Sequence, residues 1–389
     1  MQIYELLSVG MVVLLGLLGG KLFHKFNIPK VTGYMITGLI IGPSLLGLVS
    51  SKTLENIHMV NDIALGLILF AIGGEIELQH LKEMGKKVID IALAESFGAL
   101  IFIGLGAYII SGDPGLSILL GTIGMATAPG VTLMVIREYQ TRGSLTDTLL
   151  AVVAMNNVIC LISFRIFFAA FSLLHGEALT AIILTLFKEL ILSVIIGIVV
   201  AAIITYWEQK TNDLSELLLV IIGGLLVGIG LAQTLGISYL MICLIIGAIT
   251  NNLSTMHRFV YAELRQTEMP FYIAFFVLSG ASLHLDLIPH LGAIGVAYLI
   301  LRPLGKYLGS YLAGLKYGAE VSVRRFLGMG LIPQAGVAIG LALTVSESHP
   351  ELGATISTVI LASVIVYETT GPFLTKFALG KSNEIPKET

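Results

Sequence analysis

Apolar segments of about twenty residues recur from one end of this chain to the other, and thirteen of them fit into its 389 residues. Each is long enough, and poor enough in charge, for a helix to cross the hydrocarbon of a bilayer. Composition agrees: 56% of the residues are hydrophobic and 12% are charged, where a soluble globular chain carries about 25% charge. A surface so poor in charge does not stay in water, which excludes a soluble enzyme or a soluble binding module. The predicted spans are 3–22, 31–49, 58–76, 88–111, 115–136, 146–174, 189–206, 214–235, 237–252, 269–286, 291–315, 325–347 and 352–376. The first begins at Ile3 with no basic stretch before it and no small-residue cleavage site before Lys21, so it reads as a retained helix rather than a signal peptide. The loops are short, and no soluble regulatory domain is expected. Cys160 and Cys243 fall inside apolar runs and read as packing residues, without disulfide or metal spacing.

Basic residues set the orientation. Of the 22 Lys and Arg, 17 lie in one set of alternate loops and the C-terminal tail, among them Lys21, Lys25, Lys30, Arg137, Arg142, Lys210, Arg258 and Arg265. Only Lys52 and Lys188 fall in the other set. This asymmetry predicts an external N-terminus and a cytoplasmic C-terminus. It also supports the odd number of crossings, because one missed helix would scramble the alternation. The three remaining cations, Arg165, Arg302 and Lys306, lie inside predicted spans. A charge there is costly and marks a functional hypothesis.

Two spans are interrupted near their centres. The fifth reads GTIGMATAPGVTLMVIRE, with Thr127-Ala128-Pro129-Gly130 in its middle. The twelfth reads RFLGMGLIPQAGVAIGLALTV, with Pro333-Gln334-Ala335-Gly336 in the same place. Proline removes a backbone donor and glycine loosens the turn, so both helices are expected to break at membrane depth. Their ordinal positions differ by seven, an odd number, so they cross in opposite directions. Interrupted helices of opposite polarity mark the inverted repeat of a secondary transporter, with spans 4–6 matching spans 11–13. The half-helix ends would meet near the midplane, where N-terminal ends favour anions and C-terminal carbonyls favour cations. The sixth span, LLAVVAMNNVICLISFR, adds two adjacent amides, Asn156 and Asn157, in surroundings that offer them no partners.

Four stretches carry a family resemblance: VTGYMITGLIIGPSLLGL (31–48), ATAPGVTLMVIREYQTRGSLTDTLLAVVAMNNV (126–158), PFYIAFFVLSGASLHLDL (270–287) and LIPQAGVAIGLAL (331–343). They resemble the monovalent cation:proton antiporter superfamily, in its Kef-type and bacterial sodium/proton exchanger branch, and they follow the family's order over nearly the whole chain. The resemblance implies a dimer in which a core domain, carrying the crossed broken helices, moves against a scaffold domain. It also implies exchange of sodium, potassium or lithium for protons. At the positions of Asn156 and Asn157 the family carries Asp-Asp or Asn-Asp, and the aspartate matching Asn157 holds the ion and the proton. An amide matches a carboxylate in shape but neither titrates nor carries charge. Three explanations stay open: an antiporter fold with impaired coupling, an antiporter whose titrating carboxylate has moved, and a site turned to another substrate.

The expected ion site comprises Thr127, Ala128, Pro129 and Gly130, then Asn156 and Asn157, then Gln334 and Gly336. Arg302 lies near the midplane of the eleventh span. The resemblance implies that it faces the site, and with both amides uncharged it requires another counter-charge. Lys306, one turn on, either joins the site or snorkels to the interface. Glu95, inside the fourth span, is the candidate for a relocated proton carrier or for the partner of Arg302. Glu368, in VYETTGP on the last span, is the second candidate partner for Arg302 or Lys306. Asp90 reads as interfacial, and Arg165 as an outer anchor or the partner of a loop acid. Glu75, Glu77, Lys82, Glu83, Lys86 and Lys87 read as a solvated loop face, with pH sensing as the alternative.

None of the eight histidines has metal-ligand spacing with a second ligand, and no nucleophile with a base, phosphate-cradling loop or nucleic-acid patch occurs. The chain is therefore expected to be neither an enzyme nor a nucleic-acid binder, and to need no cofactor. The sequence predicts an all-α protein of thirteen membrane helices with an inverted-repeat antiporter fold, in the plasma membrane. Helices within about 88–174 and 291–376 form the core and the others the scaffold. The predicted activity is exchange of Na+ or K+ for H+, with a non-transporting, channel-like or anion-handling relative as the rival reading.

Overall fold

The computed structural model describes residues 5–74, 85–174, 179–211, 213–254, 257–283 and 285–386. Among the described residues the chain is entirely helical. The first half runs α1 (Glu5–His24), α2 (Lys30–Ile41), a short α3 (Ser51–Asn56), α4 (His58–Gly74), α5 (Lys86–Ser111), the broken pair α6 (Pro114–Ile123) and α7 (Pro129–Glu138), and α8 (Ser144–Leu174). The second half runs α9 (Leu179–Glu208), α10 (Leu214–Leu235), α11 (Tyr239–Leu253), α12 (His257–Ala281), a 3-10 turn (Leu285–His290), α13 (Gly292–Lys316), the broken pair α14 (Val321–Gly330) and α15 (Gly336–Ser348), and α16 (Pro350–Lys381). Counting each broken pair once and leaving out the short α3, these make thirteen passes in the predicted order. Helices α1, α5, α8, α9, α10 and α16 are each long and apolar enough to cross a membrane alone. Large apolar side chains such as Leu14, Ile109, Ile203 and Leu219 stand exposed on them, a surface suited to lipid rather than water.

The boundaries depart from the sequence reading for local reasons. Helix α2 stops at Ile41, short of 49, because Gly42 is extended and is followed by Pro43. Helices α9 and α12 begin before their expected spans, α9 through the apolar stretch 179–187 and Lys188, and α12 through charged residues that had read as loop. The two breaks lie slightly N-terminal to their expected places. The backbone leaves the helix at 124–128 and again at 331–335, and Pro129 becomes the first residue of α7, where a missing N–H costs nothing. Of the mixed loop, Glu75, Glu77, Lys82 and Glu83 lie outside the described residues.

Glycines set the closest helix approaches. A Cβ on Gly38 of α2 would lie 2.0 Å from the Val277 carbonyl oxygen of α12, and one on Gly280 of α12 would lie 2.1 Å from that of Met35. Helices α4 and α11 repeat the device: Gly73 faces the Leu244 carbonyl at 2.2 Å and Gly247 faces that of Phe70 at 2.0 Å. Helices α5 and α13 repeat it again through Gly98 and Gly305, each 2.5 Å from the other's carbonyl oxygen. Small residues allow this backbone contact where no hydrophobic effect drives helices together in lipid. Gly73 and Gly280, like Gly98 and Gly305, stand 207 residues apart. The inverted repeat is written in these contacts: the α2–α12 pair, which joins the two halves, maps onto the α11–α4 pair, which joins them again.

Candidate functional site

The two unwound segments cross and touch. The Ala128 N–H donates to the Pro333 carbonyl at 2.8 Å, and Thr127 Oγ1 donates to the Leu331 carbonyl at 3.3 Å. Unwinding leaves several carbonyls without a helical partner, and at membrane depth each must find one. Arg302 supplies three. Its Nε donates to Gly124 O at 2.9 Å, one Nη to Ile332 O at 2.6 Å and the other to Ala126 O at 2.5 Å. The guanidinium also lies 4.6 Å from the centre of the Tyr367 ring, and it is fully buried. It thus braces both broken helices at once.

Lys306, also fully buried, holds the next carbonyl. Its Nζ lies 2.7 Å from Met125 O, 2.9 Å from Thr127 Oγ1 and 2.8 Å from Glu95 Oε2. Glu95 is fully buried as well. Its other oxygen accepts from Ser96 Oγ at 2.8 Å and from Asn156 Nδ2 at 2.5 Å. Asn156 Nδ2 lies near Ser96 Oγ (2.8 Å) and Met125 O (2.9 Å), while its Oδ1 accepts from the Thr127 N–H at 3.0 Å. An amide is the side chain that can donate to Glu95 and accept from Thr127 together; an aspartate would face Glu95 with like charge. Asn157, the neighbour, donates only to its own helix, at Val153 O (3.0 Å), and its Oδ1 has no partner among the described residues.

Several expected roles change. Arg302 pairs with neither Glu95 nor Glu368, because the unwound carbonyls already make an acceptor cage for it. Lys306 does not snorkel, because Glu95 lies within reach at the same depth. Glu368 is buried, and no hydrogen bond or ion pair reaches it among the described residues. Gln334 is a brace, donating to Tyr298 OH at 2.8 Å and Ile123 O at 3.3 Å. Gly130 packs beneath Ile68, and Gly336 opens α15. Arg165 pairs twice with Glu189 of α9, at 2.7 and 3.0 Å. Asp90 bonds the Tyr317 hydroxyl. Ser96, the Met125 carbonyl, Tyr298 and Tyr367 were not singled out in the sequence. A polar tip on an aromatic inside an apolar run was the available signal for the two tyrosines.

Two cavities open towards opposite membrane faces. One, of about 730 Å³, lies on the side of the basic loops and is lined by Lys30, Tyr34, Arg137, Glu138, Asp147 and Tyr272 among others. The other, of about 1010 Å³, lies at the far ends of α6 and α8, beside Asp113, Phe171 and His349. At the rim of the first, Glu138 joins α7 to α1 and α2. It lies 2.9 Å from His24 Nδ1 and accepts from the Lys30 N–H at 2.9 and 3.1 Å. Burial pushes its carboxyl above the ordinary carboxylate range, against the opposing pull of Lys30 and His24.

The family model described as "Sodium/hydrogen exchanger, transmembrane" matches residues 10–376. The chain is 24% identical over 400 residues to the ammonium/H(+) antiporter subunit AmhT of Alkalihalophilus pseudofirmus, covering 99% of this chain and 96% of that one. It is 24% identical over 396 residues to the Na(+)/H(+)-K(+) antiporter GerN of Bacillus cereus, covering 98% and 97%. Its fold matches that of the sodium proton antiporter MjNhaP1 from Methanocaldococcus jannaschii with a TM-score of 0.76, at 20% identity and 98% coverage of both chains.

Proposed function

The chain belongs to the sodium/hydrogen exchanger transmembrane family, and we propose that its exchange of a monovalent cation for protons is centred on the Glu95–Lys306 pair at the crossing of the broken helices. The observation that carries this is a fully buried carboxylate 2.8 Å from a fully buried ammonium, with the ammonium bound to Met125 O and Thr127 Oγ1 of the unwound segment 124–128. A carboxylate at membrane depth needs one counter-charge. Sodium or potassium arriving at Glu95 displaces the ammonium, and Lys306, left without its partner, gives up one proton. Removal of the cation restores the pair and takes the proton back. One charge replaces another, so the exchange at this site is electroneutral. Asn156 holds Glu95 in register throughout, and Thr127 and the Met125 carbonyl offer oxygens to the arriving ion.

The core would be α5–α8 with α13–α16, moving as one body against the remaining helices, in a homodimer. In support, the buried charges at the crossing all belong to the core, and the two cavities indent the protein from opposite faces. The bias of basic residues supports an external N-terminus, a cytoplasmic C-terminus and a plasma-membrane location. The unpartnered Oδ1 of Asn157 favours one other reading, a fold whose coupling is impaired because an amide stands where the family has its titrating aspartate.

Vesicles holding the purified chain and an internal pH dye decide between them. With sodium, potassium, lithium or ammonium added outside, cation-triggered proton movement is expected, and Glu95→Gln is expected to abolish it. A silent parent chain that gains activity in Asn157→Asp would replace this proposal with the impaired-coupling reading.

A further inference from the structure

Two prolines interrupt the hydrogen-bond ladders of the last core helices, and the carbonyls they free are treated differently. In α13, Pro303 offers no N–H to the carbonyl of Leu299, four residues earlier. That carbonyl is satisfied from outside: Tyr367 OH donates to Leu299 O at 3.0 Å and lies 3.1 Å from Tyr298 O. In α16, Pro372 leaves the carbonyl of Glu368 in the same condition. No side chain among the described residues donates to it. The Glu368 carboxylate is 1% exposed, and its Oε1 is without a hydrogen-bond partner among the described residues. One residue therefore presents a carboxylate oxygen without a partner among the described residues and a backbone carbonyl that has lost its i+4 donor. Gly371, one turn on and on the same helix face, packs against Pro333, where an added Cβ would lie 2.8 Å from the ring. Glu368 thus stands beside the unwound segment 331–335.

Among the described residues no cation compensates it. Among the described side chains, the charged groups on elements packed against α16 are Lys30 on α2, Arg137 and Glu138 on α7, Arg302, Lys306 and Lys316 on α13, Arg324 and Arg325 on α14, and Asp286 and His290 on the 3-10 turn. None of them forms an ion pair with Glu368, nor do Glu351, Lys376 or Lys381 of its own helix. An isolated carboxylate at this depth must be neutralised by a bound proton or a bound cation. Oxygens of this kind are the ligands that alkali cations take from broken helices.

We infer that Glu368, with the backbone carbonyl freed by Pro372, is a second seat at which a monovalent cation and a proton compete. This deepens the exchange reading and rests on it. The two seats differ in kind. Glu95 trades its cation against a lysine of the protein, whereas Glu368 trades it directly against a proton on its own carboxyl.

Cation-induced infrared difference spectra of the full chain in lipid bilayers test the seat without requiring transport. When sodium or potassium chloride replaces choline chloride at fixed pH, the protonated-carboxyl band is expected to fall and the carboxylate bands to rise. This change should vanish in Glu368→Gln and persist in Glu95→Gln. On the acid side of the titration, the cation concentration for half the change should rise about tenfold for each pH unit lowered. Pro372→Ala restores a donor to the carbonyl and should raise that concentration by about tenfold. Should Glu368→Gln fail to fold, Glu368→Asp is expected to keep the band response at a shifted concentration. A parent band that no cation alters, or an unchanged response in Glu368→Gln, overturns the seat. Proton flux in vesicles with a cation-insensitive Glu368 refutes this inference alone. A responsive Glu368 in a chain without flux refutes the exchange reading and leaves the seat standing.

Discussion

Position 95 on α5 is a glutamate, and 207 residues later, at the matching place on α13, position 302 is an arginine. The same offset carries Thr127 to Gln334, Ala128 to Ala335, Asn156 to Ser363 and Gly98 to Gly305. The two halves of the molecule thus keep the glycines that set helix spacing and change the side chains that carry charge. A symmetric filling would put like charges together at the midplane, where each repels the other and neither is solvated. The repeat therefore supplies the frame, and the difference between its halves supplies the electrostatics. Glu95 answers to Lys306, and Arg302 answers to backbone carbonyls.

The most severe way to break this comparison is Arg302→Met. It strips donors from Gly124, Ala126 and Ile332, three buried carbonyls that cost about 1–3 kcal/mol each when left unmade. Thermal unfolding in detergent should show the largest loss of any single substitution at the crossing. A normal midpoint would mean that water or lipid satisfies those carbonyls, and the second half would lose its role as the brace.

Glu95→Gln comes next. It removes the counter-charge of the buried Lys306, a loss of up to about 3–5 kcal/mol that release of the ammonium proton lessens. Adding Lys306→Met should restore most of the thermal midpoint, since a buried pair replaced by neutral groups is often nearly neutral in stability. It should not restore cation-driven proton movement. Recovery of both in the double variant would separate the pair from transport.

The frame itself is tested by Gly98→Ala and Gly305→Ala made separately. Each new methyl would meet the partner's carbonyl oxygen at 2.5 Å. Losses of about 1–3 kcal/mol, equal between the two, are expected from such overpacking. Unequal losses would show that the halves differ in packing as well as in charge.

These contrasts separate what the sequence discloses from what it hides. Pro129 and Pro333 disclose the two breaks, because a proline inside a span has a fixed local consequence. Glu95, Arg302 and Lys306 disclose themselves as charges in apolar runs. Their pairing does not show. The acceptors for Arg302 are backbone carbonyls, which carry no letter in the sequence and become available only when 124–128 and 331–335 unwind together. The Arg165–Glu189 pair hides for another reason. Glu189 read as the edge of a span, and only the longer α9 places it beside α8. Asn156 looked like the loss of a carboxylate until Glu95 appeared against its amide.

The mildest test lies where the moving part meets the fixed one, at the bridge from Glu138 on α7 to His24 on α1. Burial raises the Glu138 carboxyl above the ordinary carboxylate range. The folded chain therefore prefers the proton, and stability from this group is greatest at low pH and falls as pH rises through the raised value. The bridge runs the other way, since it needs the carboxylate and is lost at milder acidity than an exposed acid would require. Glu138→Gln removes both effects. It should flatten the dependence of the thermal midpoint on pH in the mildly acidic range by under about 1 kcal/mol, because His24 is 46% exposed and water screens the pair. In vesicles it should give, at alkaline pH, the transport rate the parent shows only after the bridge has opened in acid. A parent-like rate profile across the whole range would show that this contact holds α7 to α1 without controlling their relative motion.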